Sequence, residues 1–581
     1  MKFAVPAISL LTLGLAACGS SSESANAGGG GSTLDPIADA REGGQEHVVL
    51  SSAVDGADIS FELFEPDLLR PGEAYPLILQ GHGYGGSRIT ERSGFVARLT
   101  EAGYYVISID QRGFGESGGT VRVMSPDFEG QDLIQILDWA EDLPGLARRD
   151  GNMLLGAYGG SYGGGYQFLL AGADPKNRLD ALAPDITWHD LRYSLAPNEV
   201  IKSSWILLLT AGGEAGSSLG QDTFIRESLI QGTLDNNFPE PASNLFAYHS
   251  PIYHCDGQEF GEQGFLLATS DPGNVASRPL PQVDVLLTQG MRDTLFNFNE
   301  AFANYQCLRQ RGGDVRLLTH ESGHILPTVL PAELTAGLDP AYELVNFPEL
   351  QNGGGARDCG PINLNDAQFA WFEEKLRGQA GAINAAMPNG QDVCLSLGDE
   401  DAVFLPQVPV GGTEFPLDLS TPQLNSVLGI TGSLLGNSIR DVVLADLPLM
   451  TAGEQGAVVA GVPTMTLSVE GLSGLEPGEC PLPVLETACD PIYWLGLAVQ
   501  RAGSTRYELI DDQLTPLRGF GEHGTAQAPM EMTGIAERLA PGDSLVLRIF
   551  GFHAQYPITW SRDALVPAAS FSGSIQVPII D

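Results

Sequence analysis

The sequence predicts an α/β chain with a mostly parallel sheet, followed by an all-β sandwich. Three observations carry that expectation. Apolar runs of strand length alternate with helix-periodic stretches from about residue 47 to residue 320, a pattern that folds as a parallel sheet with helices on both faces. Within it, the apolar run 153–157 feeds Tyr158-Gly159-Gly160-Ser161-Tyr162-Gly163-Gly164, and a helix-capable stretch follows to about Ala171. From about Gly411 the texture changes to short apolar runs between Gly and Pro turns, such as 457–460, 465–469, 494–499 and 544–549, which is a sandwich pattern.

Residues 47–65 alternate polar and apolar side chains, as antiparallel strands opening a sheet do. Residues 75–80 read as a buried strand ending in Gly81-His82-Gly83-Tyr84-Gly85-Gly86. A helix over 90–102 and a strand over 104–109 come next, then the turn Asp110-Gln111-Arg112-Gly113. There Asp110 and Arg112 are read as satisfying buried loop groups. Residues 128–141 place Leu133, Ile136, Leu137 and Ala140 on one helix face. After the Ser161 helix, a strand is expected over 179–188, and then some 90 residues break the pattern. Helices over 199–209 and 222–234 there read as a cap, about 189–280, that walls off a pocket. Trp188, Trp205, Phe224, Phe246 and Tyr248 are its candidate pocket aromatics, with plain packing as the bland reading. The sheet resumes at 283–289, followed by a helix over 298–310 and a last core strand over 315–319. Residues 325–400 read as a linking region with one helix at 366–377.

The glycines around Ser161 let the chain turn sharply and hold the serine clear of the sheet. Its hydroxyl then sits at a helix N-terminus, where free N–H groups and the helix dipole stabilise a developing negative charge. Asp293, in Gly290-Met291-Arg292-Asp293, lies just past a buried strand and suits the acid that orients a histidine; an N-cap role is compatible with this. His324, in His320-Glu321-Ser322-Gly323-His324, is the expected general base. A base must swing off a loop beyond the strand, whereas His320 at the strand end points along the sheet. Ser161, Asp293 and His324 follow the order nucleophile, acid, base. The Tyr162 N–H and the Tyr84 loop, through its N–H or its hydroxyl, are the expected oxyanion donors. His82 is read as bracing that loop through a backbone hydrogen bond.

These motifs resemble those of the α/β-hydrolases, and the chain over about 47–575 resembles the cocaine esterase and Xaa-Pro dipeptidyl-peptidase group of serine hydrolases. The resemblance rests on the glycine-flanked Ser161, on Gly290 to Asp293, on the strand leading to His324, and on Leu539-Ala540-Pro541-Gly542-Asp543-Ser544-Leu545. It implies an α/β-hydrolase fold with a helical cap insertion, followed by a jelly-roll-like sandwich. It also implies acyl-bond hydrolysis through an acyl-serine, with no cofactor. The extra N-terminal helical domain of the large Xaa-Pro dipeptidases has no counterpart here, which points away from exopeptidase specificity.

The formal net charge of −42, with lysine only at 2, 176, 202 and 375, excludes the basic patch that nucleic-acid binding requires. The first 18 residues run from Lys2 through an apolar core to Leu15-Ala16-Ala17-Cys18, which resembles the lipobox of bacterial lipoproteins. That implies cleavage before Cys18, lipidation of its thiol, and, with Gly19 next, sorting to the outer membrane of the envelope. Residues 19–46 then read as a flexible tether, 47–400 as the hydrolase domain and 401–581 as the sandwich. Six cysteines remain, and proximity alone suggests Cys255 with Cys307, Cys359 with Cys394, and Cys480 with Cys489. No Cys or His cluster has metal-ligand spacing, so no metal is expected.

The expected function is a serine hydrolase of carboxylesterase type acting on a small ester. A dipeptidyl-peptidase acting on short peptides would need carboxylates to grip a free ammonium, for which Glu199 or Asp222 in the cap could serve. A non-catalytic envelope protein that binds through its sandwich is the third reading.

Overall fold

The computed structural model describes residues 37–217, 219–255, 271–326, 357–387, 391–398, 400–425, 441–471, 491–518, 530–562, 565–566 and 568–580. The signal segment with Cys18, most of the tether, and the Cys480–Cys489 pair lie outside them.

Ten strands form the main sheet: β1 (Gln45–Ser51), β2 (Asp58–Phe64), β3 (Leu77–Gly81), β4 (Tyr105–Ile109), β5 (Leu155–Gly160), β6 (Ala181–Asp185), β7 (Asp284–Gly290), β8 (Val315–His320), β9 (Val393–Gly398) and β10 (Asp401–Leu405). Their spatial order is β10-β9-β8-β7-β6-β5-β3-β4-β2-β1. The centre, from β4 to β9, is parallel, and the antiparallel pairs are at the two edges. Side chains alternate across the sheet because the strand period is two. Leu77, Leu79, Ile107, Leu182, Val285, Leu287 and Leu317 face one core, shared with helices α2 (Glu129–Ala140) and α3 (Tyr162–Ala173). Ile78, Val106, Ala181, Ala183, Leu286 and Leu318 face the other, under helices α1 (Gly94–Glu101) and Leu364–Lys375.

Between β6 and β7 lie the cap helices, of which the longest are Ser203–Ala215 and Thr223–Asp235. A disulfide joins Cys255, at the end of helix Ile252–Cys255 in this insertion, to Cys307 on helix Phe298–Arg309. The second joins Cys359 to Cys394 on β9. Both follow the pairing that proximity suggests.

Three expectations are corrected here. Strand β8 is not the last of the sheet, since β9 adds in parallel and β10 returns antiparallel beside it. The supposed linker thus contains sheet, because a six-residue run carries too little periodicity to be told from a connection. The expected domain boundary at 400/401 consequently falls inside a hairpin of the hydrolase sheet, and the sandwich strands begin at Thr413. The expected tether also ends sooner, at the short strand Arg41–Glu42, which pairs with Leu68–Leu69.

Beyond Thr413 the strands are antiparallel. One sheet contains Thr413–Thr421, Ala569–Val577 and Thr464–Gly471, and a second contains Val442–Thr451, Ser544–Phe552 and Tyr493–Gln500. Met465, Leu467 and Val469 from the first share a core with Leu495, Leu497, Leu545, Leu547 and Ile549 from the second, as packed sandwiches do.

Candidate active site

Strand β5 ends at Gly160, and Ser161 turns the chain into α3 with φ 59° and ψ −121°. A non-glycine residue rarely adopts this conformation, which costs on the order of 1–3 kcal/mol. Packing leaves the elbow no alternative: a Cβ added at Gly163 would lie 2.2 Å from the Gly81 carbonyl oxygen. The Ser161 N–H donates to the Asp185 carbonyl at 2.9 Å, and its own carbonyl accepts from Thr187 Oγ1 at 3.0 Å.

Asp293 and His324 leave the ends of the neighbouring strands β7 and β8. The structure brings both to the serine. Ser161 Oγ is 2.8 Å from His324 Nε2, and His324 Nδ1 is 2.5 Å from Asp293 Oδ2. Asp293 is fully buried, and its carboxylate also accepts from the N–H groups of Leu295 (2.9 Å), Phe296 (2.7 Å) and His324 (3.0 Å). An acid so surrounded is a fixed acceptor for the imidazole Nδ1 proton, which leaves Nε2 free to accept the serine proton. The rings of Trp205 and Phe296 stand edge-on to His324 at 6.0 and 5.1 Å. Thr294 completes the brace, accepting from Trp205 Nε1 at 3.1 Å and donating to the His324 carbonyl at 3.1 Å.

The glycine loop after β3 passes the nucleophile, since a Cβ added at Gly83 would lie 4.0 Å from Ser161 Cβ. The Tyr84 hydroxyl is turned to the cap: it accepts from Gln221 Nε2 at 3.0 Å, and a Cβ added at Gly213 would lie 2.4 Å from it. Because the hydroxyl accepts in that bond it still carries a proton to donate, so both Tyr84 donors expected, the N–H and the hydroxyl, remain. Tyr162 opens α3, so its N–H has no partner within the helix. His82 braces the loop, with Nδ1 donating to Gly83 O (2.8 Å) and Nε2 accepting from Gln111 N–H (3.0 Å). Burial lowers its pKa and favours this neutral form.

His320 lies elsewhere. Its Nε2 is 3.0 Å from Asp185 Oδ1 and its Nδ1 is 2.6 Å from Ser322 Oγ, all three residues being buried. Burial alone would raise the Asp185 carboxyl, but Arg357, His320 and Thr288 outweigh it and hold the group well below the usual carboxylate range. Asp185 thus ties the serine's main chain to the loop that carries His324. Sequence reasoning did not reach this pair, nor Thr294, because their partners come from distant elements. Asp110 accepts from the Arg88 and Glu116 N–H groups and Arg112 binds Asp132, so both are architectural.

Trp188 donates to the His249 carbonyl, Tyr248 to Asp127, and Phe246 packs on Phe238, while the Trp205 ring stands against His324 of the candidate triad. Glu199 is exposed, and Asp222 caps helix Thr223–Asp235 while pairing with Arg122 at 3.2 Å. Among the described residues, no group of three His, Cys, Asp or Glu side chains could hold a metal ion.

Fold and site together define the class, a serine hydrolase built on the α/β-hydrolase fold. Within that class, residues 55–326 match the model of the X-Pro dipeptidyl-peptidase family (S15), and the chain is an α/β-hydrolase similar to those peptidases and to the CocE hydrolases. A CocE/NonD family hydrolase from Staphylococcus aureus shares the fold, with a TM-score of 0.54, 13% identity, and 93% of this chain and 97% of that one covered. An aminopeptidase from a marine sediment Thaumarchaeota archaeon gives a TM-score of 0.52 at 13% identity, covering 92% and 97%. At such identities the likeness is one of fold. Two curated relatives match over a shorter stretch. An uncharacterized 31.7 kDa protein of Escherichia coli is 30% identical over 151 residues, 26% of this chain and 51% of that one. The quorum-quenching protein AidA of Acinetobacter baumannii is 31% identical over 150 residues, 25% and 47%. The chain thus spans about half the length of the curated relatives it matches.

Proposed function

We propose that this protein is a carboxylesterase that works through an acyl-Ser161 intermediate. The observation that carries the reading is the continuous hydrogen-bonded row from Ser161 Oγ through the His324 ring to the buried Asp293. His324 Nε2 takes the serine proton as Oγ attacks the ester carbonyl, and Asp293 stabilises the imidazolium that forms. The Tyr162 N–H and a donor of Tyr84, its N–H or its hydroxyl, receive the oxyanion. His324 then returns the proton to the departing alkoxide, and water repeats the cycle on the acyl-enzyme.

Ester rather than peptide is favoured by the state of Glu199 and Asp222, the cap carboxylates put forward for a peptide's ammonium. Glu199 faces solvent, and Asp222 is engaged by Arg122 and the helix it caps. A panel of p-nitrophenyl esters beside Xaa-Pro p-nitroanilides tests this. The reading expects ester turnover at least ~100-fold above any anilide, lost in Ser161→Ala; efficient anilide cleavage would shift the assignment to a dipeptidyl-peptidase.

We further propose that Cys18 is lipidated and holds the enzyme in the bacterial envelope, on the strength of Leu15-Ala16-Ala17-Cys18. Cells fed labelled palmitate should label the wild type and not Cys18→Ala; equal labelling of both would refute it.

A further inference from the structure

The turn that carries Asp293 is held from the sandwich side as well as from the hydrolase side. Gln513, buried between the two, donates both protons of its side-chain amide to this turn: Nε2 is 2.7 Å from the Met291 carbonyl oxygen and 2.9 Å from that of Asp293. Gln513 follows two residues in the left-handed region, Asp511 at φ 55° and Asp512 at φ 57°. Non-glycine residues keep such angles only where their surroundings over-determine them, and such strain clusters at functional sites. Here the surroundings are explicit. Asp511 Oδ2 accepts from the Ala536 N–H at 2.8 Å, and the Asp512 carbonyl accepts from Gln555 Nε2 at 2.9 Å. The Asp512 carboxylate pairs with Arg292, one residue before the acid, at 2.7 Å. Thr533 Oγ1 donates to the Leu514 carbonyl at 3.1 Å. Nearby, Asn299 accepts from the Gly534 N–H and donates to the Met532 carbonyl. The 511–514 segment is therefore anchored to the sandwich and aimed at the acid turn.

We propose that Gln513 is a positioning residue for Asp293, so that the sandwich domain sets the geometry of the hydrolase site through one amide. This rests on the reading of Asp293 as the catalytic acid. Within the hydrolase domain the Asp293 carboxylate is fixed by the Leu295, Phe296 and His324 N–H groups, and the main-chain N–H groups of Met291, Asp293 and Thr294 are held by the His320, Gly290 and His324 carbonyls. Gln513 holds the other side of the turn, the Met291 and Asp293 carbonyls. Displacements of about 1 Å in a supporting shell lower turnover by up to ~10²-fold, because the reacting groups no longer meet in register.

The full-length variant Gln513→Leu keeps the volume and removes both donors. It should lower kcat on a p-nitrophenyl ester about 10- to 100-fold with KM within about twofold. Inactivation by a serine-directed phosphonate should slow by the same factor. The acid limb of the kcat/KM profile should also move to lower pH, since a misaligned acid supports the imidazolium less. Turnover within about twofold of wild type, or a loss that only tracks the unfolded fraction in a circular-dichroism melt, would overturn the proposal. Should the leucine variant not fold, Gln513→Asn, whose amide is one methylene short, is read against the same outcomes. Asp293→Asn run alongside separates the two claims. If Asp293→Asn is impaired and the Gln513 variant is not, only the proposal fails; if Asp293→Asn turns over normally, the reading of the acid fails first.

Discussion

Ser161 occupies a left-handed conformation at the mouth of a helix, and the reactivity proposed for it depends on neighbours that are almost wholly buried. Two hydrogen-bonded rows meet there. One runs through His324 to Asp293, and the other runs from the serine N–H through Asp185 and His320 to Ser322. The second row has the residue types of a triad but not its accessibility, since His320 and Ser322 are both fully buried. It is structural. His320→Leu leaves the Asp185 carboxylate short of a buried donor and should cost about 2 kcal/mol in urea unfolding. His320→Gln, which can present an amide N–H to Asp185, should recover part of that loss; equal midpoints for wild type and His320→Leu would contradict the role. Both histidines stood out in the sequence because they lie within the five residues, His320 to His324, where a core strand runs out. What separated them was geometry, the proposed base lying on the loop and its rival at the strand end.

At the scale of elements, the strand–elbow–helix around Ser161 was legible because glycine is required there for a steric reason. The carbonyl of Gly81, at the end of β3, lies against Gly163, and Gly163→Ala should cost about 1–3 kcal/mol of stability by overpacking the elbow. Thermal unfolding checks it, and an unchanged midpoint would mean that the loop yields. The central strands were equally legible, as continuous apolar runs buried on both faces. Strands β9 and β10 were not, since Val393–Gly398 is short and follows a long interruption. The cap was legible only as a break in the pattern. Trp205, whose ring stands against His324, was named among five aromatics that composition alone could not rank.

For the whole molecule, the contacts that matter to the site join segments far apart in the chain, such as Gln513 with Asp293 and Arg357 with Asp185. No local pattern encodes such pairs, which is why both domains were read from the sequence while their junction was not. Burial also places ionisable groups where solvent cannot support them. Burial pushes the Glu129 carboxyl up to about 7, against the pull of the Arg122 N–H and the Arg112 charge. The folded protein therefore holds a proton that the unfolded chain, with an ordinary glutamate, releases above about pH 4.5. This contribution to stability is full below that pH and is lost as the pH rises through about 7. Glu129→Gln does not titrate, so its stability relative to wild type should climb across this window and level off above it; a flat difference in urea unfolding would contradict the assignment.

The central claim is that one hydroxyl, Ser161, is made nucleophilic by His324 and Asp293. Intact-mass measurement with peptide mapping after exposure to a serine-directed phosphonate tests it most directly. The account predicts a single adduct per chain, located on Ser161 and formed at least ~10²-fold more slowly in His324→Ala. An adduct on another residue, or labelling of Ser161 at an unchanged rate in that variant, would contradict it.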